Sequence, residues 1–85
     1  MRKVVFTLRA KNDLDYFEKY NYKLCKRIIV LIEAILQDPF SGIGKPEALK
    51  HNLTGYYSRR INKEHRLVYK ITDNLIQILS CRFHY

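Results

Sequence analysis

Four side chains in the C-terminal half have the types that ribonucleolytic chemistry needs. Glu47 sits in the loop segment GKPEALKH, Arg60 in SRRI, Arg66 in EHRLVY and His84 in the closing CRFHY. Brought onto one face, a carboxylate, a guanidinium and an imidazole can cleave RNA without a metal ion. The carboxylate takes the 2′-OH proton. The guanidinium, always charged, stabilises the extra negative charge on phosphorus. The imidazolium protonates the leaving 5′-oxygen, and a histidine near its ordinary pKa of about 6.5 supplies that proton at neutral pH. Each acid or base contribution is worth roughly 10²–10⁴-fold in rate.

Taken singly, these residues are commonplace. A loop glutamate is usually a solvated side chain, and an arginine on a basic strand is more often a phosphate contact than a catalyst. A penultimate histidine usually belongs to a frayed end, but His84 is flanked by Phe83 and Tyr85, and strand-like hydrophobicity runs nearly to the terminus. His51 and His65 read as binding or structural residues. Cys25, Cys81 and the three histidines lack the spacing of zinc ligands, so no metal is expected. The two cysteines form no CxxC and read as small core hydrophobes in a reduced, cytoplasmic protein. Gly42-Ile43-Gly44 matches no phosphate-binding loop, and no cofactor is expected.

The elements that must position these groups are legible from pattern. Lys3–Phe6, KVVF, predicts a strand at a sheet edge, and Thr7 a helix cap. Ala10, Leu14 and Phe17 share one helical face; Asn21 is a second cap, and Leu24, Ile28, Leu31, Ile32 and Ile35 continue the 3.6-residue period until Pro39 ends it. Two helices with so short a joint predict an antiparallel hairpin. Residues 41–46 read as a loop carrying Gly42, Gly44 and Pro46. Residues 56–61 predict a strand, and residues 62–64 a turn. Leu67, Tyr69 and Ile71 alternate with Arg66, Val68 and Lys70. Asp73-Asn74 is a turn, and residues 75–83 a long strand in mid-sheet. The fold class is α+β: one small domain over 1–85, with an N-terminal strand, a helical hairpin and an antiparallel three-strand meander. The helices cover one face of the sheet, and the other, bearing Arg66 and Lys70, is expected to be wet.

Composition agrees with a polyanionic target. The 85 residues carry 16 Lys and Arg against 8 Asp and Glu, a formal charge of +8. That excess points to nucleic acid or an acidic protein. No apolar run approaches the roughly 18 residues that a membrane-spanning helix needs, and the charged start of the chain leaves no room for a signal peptide.

Three segments, KPEALKHNLTGYYSRRI at 45–61, EHRLVY at 64–69 and CRFHY at 81–85, closely resemble the YoeB/Txe family of toxins in the RelE/ParE superfamily of type II toxin–antitoxin systems. The resemblance covers the whole chain in length and element order and is strongest from residue 44 onward. It implies a RelE-like, microbial-RNase-like fold and a ribosome-dependent mRNA endonuclease. Such a toxin cuts mRNA in the ribosomal A site by 2′-OH attack, leaves a 2′,3′-cyclic phosphate and so inhibits translation. By that resemblance Glu47 is the general base, Arg66 the transition-state stabiliser and His84 the general acid. Lys50, His51, Arg60 and Tyr85 hold the RNA substrate or complete the site. The implied partners are mRNA, the ribosome with its rRNA, an acidic YefM-like antitoxin and a second copy in a homodimer. Two other readings remain open. A ParE-like inhibitor of gyrase would use the same fold without the carboxylate and terminal histidine. A plain RNA-binding module would leave unexplained a carboxylate in a phosphate-binding surface.

Overall fold

A computed structural model describes residues 2–83. The N-terminal strand β1 (Lys3–Phe6) ends at Thr7, whose hydroxyl accepts the Ala10 N–H at 3.1 Å and starts helix α1 (Leu8–Tyr20). The same hydroxyl donates to the Leu79 carbonyl at 2.7 Å, so the cap also ties the helix to the sheet. One residue, Asn21, joins α1 to α2 (Tyr22–Gln37); its side chain accepts the Leu24 N–H while its own N–H caps the Phe17 carbonyl. Asp38 and Pro39 end α2, since the residue before a proline is driven out of the helical region.

Helical spacing collects Ala10 and Phe17 of α1 and Cys25, Ile28, Leu31, Ile32 and Ile35 of α2 into one core. From the sheet come Leu67, Tyr69, Ile76 and Ile78, together with Ile61 and Cys81. Each fully buried Leu, Ile or Phe contributes about 1.5–3 kcal/mol of burial energy. Truncating Ile28, which is wholly buried, to alanine removes about 2–5 kcal/mol.

The sheet has five strands rather than the four read from pattern. Their order is β1-β5-β4-β3-β2, with β3 (Tyr56–Arg60), β4 (Arg66–Ile71) and β5 (Leu75–Ser80) forming the antiparallel meander. β1 lies at the edge, parallel to β5, which is therefore in mid-sheet. The added strand is β2 (Glu47–Ala48), where a loop was expected. Its approach is made by Gly44, at φ +83°, whose carbonyl accepts the Arg60 N–H at 2.6 Å. A Cβ at residue 44 would lie 2.8 Å from Leu31 Cδ2 and 3.3 Å from the Arg60 carbonyl oxygen, so only glycine lets the loop come so close.

Two other expectations are corrected. β5 stops at Ser80, not Phe83: the register steps at Leu79, and the Cys81 N–H turns to the Asp13 carboxylate at 3.0 Å. The second face is wet only in part. Val68 is completely buried there, beside its buried partners Ser58 and Ser80, while Lys70 is exposed.

Candidate active site

Cross-strand pairing brings the charged groups together. Residues opposite one another in adjacent strands project to the same face. One row across the sheet reads Glu47, Ser58, Val68, Ser80; the next pairs Arg60 with Arg66. Glu47 and Arg66 are thus neighbours on the face away from the helices, although β2 and β4 are separated by a whole strand.

The geometry is that of a loosely held ion pair. A nitrogen of the Arg66 guanidinium lies 3.8 Å from a Glu47 carboxylate oxygen. The same nitrogen lies 3.4 Å from Ser58 Oγ, a buried hydroxyl at the root of the row. The Arg66 side chain is only 15% exposed and the Glu47 side chain 58%. A largely buried guanidinium therefore faces a largely solvated carboxylate. Exposed pairs of this kind contribute at most about 1 kcal/mol to stability, so the juxtaposition does little for folding.

Further basic side chains lie nearby. Arg60 is exposed at the end of β3, and Lys50 and His51 are exposed where a short 3₁₀ turn, His51–Leu53, begins. His51 sits in the left-handed region at φ +61°, and the Thr54 hydroxyl and N–H both bind its carbonyl. Glu47, Lys50 and His51, with Ala48, Leu49 and Leu53, line a shallow cavity of about 290 Å³. The residues named from sequence as base, stabiliser and RNA contacts (Glu47, Arg66, Lys50, His51, Arg60) thus fall on adjoining parts of one surface. His84 and Tyr85 lie outside the described residues. Among the described residues no group of three or more His, Cys, Asp or Glu side chains is arranged to hold a metal ion.

Sequence reasoning passed over a residue beneath this surface. Arg59 points to the opposite face from Arg60 and is wholly buried. Its Nε donates to Tyr69 Oη, its Nη1 to the Ile43 carbonyl, and its Nη2 to the Asp38 and Ser41 carbonyls at 2.6 and 2.9 Å. Tyr69 Oη donates in turn to the Pro39 carbonyl, and burial pushes its pKa up, so it stays a hydroxyl. This clamp secures the loop that delivers Glu47 to β3. The signal was present: consecutive residues of a strand face opposite ways, so one arginine of Arg59-Arg60 had to enter the core and find acceptors there.

Comparison with known proteins identifies the family. Residues 6–85 match the model of the YoeB-like toxin of bacterial type II toxin–antitoxin systems. Toxin YoeB of Synechocystis is 59% identical over 98% of this chain and 96% of its own length. A YoeB/ParE toxin from Agrobacterium tumefaciens superimposes with a TM-score of 0.95 at 39% identity, covering 98% of this chain and 99% of that one. The toxin in a YoeB-YefM complex from Staphylococcus aureus does so with a TM-score of 0.90 at 51% identity, covering 100% and 99%. With a family match over residues 6–85 and 59% identity to a relative over nearly its full length, the chain belongs to the YoeB-like toxin family of bacterial type II toxin–antitoxin systems.

Proposed function

We propose that this toxin is a ribosome-dependent mRNA endonuclease that cuts in the A site by acid–base catalysis. The observation that carries the reading is the Glu47 carboxylate 3.8 Å from the Arg66 guanidinium on a cationic sheet face. Glu47 accepts the 2′-OH proton as that oxygen attacks phosphorus. Arg66 stabilises the charge on the non-bridging oxygens. The bond from phosphorus to the 5′-oxygen breaks, His84 gives that oxygen a proton, and a 2′,3′-cyclic phosphate and a 5′-hydroxyl remain. Lys50, His51, Arg60 and Tyr85 hold the RNA. No bound metal or cofactor enters these steps.

Two features support the assignment of His84 and the need for a ribosome. The Phe83 carbonyl accepts the Arg66 N–H at 3.1 Å, so the residue that precedes His84 in sequence is bonded to the backbone of Arg66. The site is shallow and its base largely exposed. A larger body that presents the mRNA in a reactive geometry would supply the positioning that the shallow site lacks. A charge of +8 suits a surface of rRNA. The same charge suits an acidic antitoxin. A YoeB-YefM complex and a YoeB dimer, both from Staphylococcus aureus, are the models for a YefM-like partner and a homodimer of this chain.

The test is cell-free translation of a reporter mRNA with wild-type protein, Glu47→Ala and His84→Ala. Each variant is expected to cleave about 10²–10⁴-fold more slowly. Undiminished cleavage by both removes the assigned roles. Gyrase inhibition without RNA cleavage would favour the ParE-like alternative.

A further inference from the structure

Phe83, the last described residue, is gripped on both sides by two consecutive residues, the last of the β3–β4 connection and the first of β4. Its carbonyl accepts the Arg66 N–H. Its own N–H donates to Nδ1 of His65 at 2.7 Å, a short bond between a backbone donor and a ring acceptor. Phe83 also sits at φ +64°, a conformation that side-chain-bearing residues avoid and that persists only where the surroundings impose it. The ring of His65 completes the grip, with its centroid 5.5 Å from that of Phe83.

His65 is itself fixed. It is 6% exposed, and its ring meets Phe17 edge-on at 5.0 Å. Its backbone N–H donates to Asn62 Oδ1 at 2.8 Å, and its carbonyl accepts from Ile61. Because Nδ1 accepts a hydrogen bond, the ring proton resides on Nε2, which lies 3.3 Å from a Glu64 carboxylate oxygen. A buried histidine with a fixed tautomer, spending its one acceptor on the residue that precedes His84, does more than fill space. An apolar side chain would pack against Phe17 and Phe83 as well.

We infer that His65 is a positioning residue for the terminal proton donor: its Nδ1 holds Phe83, the residue that precedes His84 in sequence, in the left-handed conformation. The inference deepens the nuclease reading and rests on it. His65 acts through the Phe83 backbone and touches no RNA. Losing the bond releases Phe83 and leaves the Glu47, Lys50, His51 and Arg60 surface unchanged, so substrate binding through those residues should persist while the chemical step slows.

The experiment compares two substitutions. His65→Leu keeps apolar volume and removes the acceptor. His65→Asn places Oδ1, bonded to Cγ as Nδ1 is, where it can accept from Phe83. In ribosome-programmed mRNA cleavage, His65→Leu is expected to lower kcat about tenfold to a hundredfold, the usual effect of misplacing a catalytic group by about 1 Å. KM should stay within about threefold, and His65→Asn should recover most of kcat. By NMR, exchange of the Phe83 amide should quicken about tenfold in His65→Leu, the size of one lost hydrogen bond, and return in His65→Asn. Should the leucine variant fail to fold, His65→Gln, whose amide reaches the Nε2 position instead, takes its place. Wild-type kcat in the acceptor-free variant, unaltered Phe83 exchange, or a loss confined to KM would each overturn the inference. Failure of the nuclease reading is separately visible: His84→Ala would then cleave at the wild-type rate, whatever the Phe83 amide does.

Discussion

Arg59→Met removes the clamp under the Glu47 loop, and the cost can be worked from its contacts. Methionine is close in length, unbranched and apolar, so it fills the channel without offering a donor. Four hydrogen bonds from a charged group disappear: to Tyr69 Oη and to the carbonyls of Ile43, Asp38 and Ser41. At about 1.5–3 kcal/mol each their gross value is roughly 6–12 kcal/mol. Two effects offset this. Burying a guanidinium carries a desolvation penalty of several kcal/mol, which the variant escapes. The freed carbonyls belong to a surface loop and can find water. Breaking a buried charge network typically leaves a net loss of about 3–5 kcal/mol, a large share of the roughly 5–15 kcal/mol a domain possesses. Urea unfolding followed by far-ultraviolet circular dichroism reads this directly, as a lower midpoint at unchanged slope. At about 4–8 °C per kcal/mol for a domain of this size, Tm should fall by at least about 12 °C. Arg59→Lys should lie between the two, because a point charge with three donors cannot span the same acceptors. A loss below about 1 kcal/mol in Arg59→Met would refute the claim that the guanidinium holds the loop.

The Asp38 carboxylate accepts from the Ser41 hydroxyl at 2.6 Å and from the Phe40 N–H at 3.0 Å, and the Ser41 bond above all holds its pKa below the ordinary range. A depressed folded pKa adds stability above the unfolded value of about 3.9 and loses it as pH falls toward the folded one; urea midpoints of wild type and Asp38→Asn should therefore differ at pH 7 and converge below about pH 4, and a gap unchanged down to pH 3 would contradict this. Gly44→Ala meets Leu31 Cδ2 at 2.8 Å at a positive φ, whereas Gly55→Ala shares the positive φ and meets nothing within 4 Å. Both should suffer the left-handed penalty of about 1–2 kcal/mol, and only the first a further overpacking cost of about 1–3 kcal/mol; equal losses in thermal melts would sink the steric account. The buried Cys81 thiol, pushed up to about 12 chiefly by burial and then by Asp13, should resist iodoacetamide at pH 8 until the chain unfolds. Alkylation of Cys81 at the rate of a free thiol would show that it is not sealed.

Local signals suffice where local physics decides. Thr7 and Asn21 are caps because their short side chains satisfy the first free N–H groups of a helix, a matter of three neighbouring residues. Pro39 ends α2 by sterics with the residue before it. The alternation of Leu67 and Tyr69 marks a buried face for any strand, whichever strand it joins. Residue types single out Glu47 and Arg66 as candidates, and the family resemblance assigns them complementary roles, but nothing in their spacing joins them.

Their meeting was decided by long-range pairing. Only the register of β2 on β3 and of β3 on β4 puts Glu47, Ser58 and the Arg66 guanidinium side by side, and only the approach at Gly44 makes β2 a strand at all. The same register sends Arg59 into the core and Arg60 to the surface, a choice that two adjacent identical residues do not contain. Periodicity and capping are properties of a few consecutive residues, so the chain itself specified its helices, its meander and its basic character. Which strand lies against which, and hence which charges share a surface, depends on how the whole core closes.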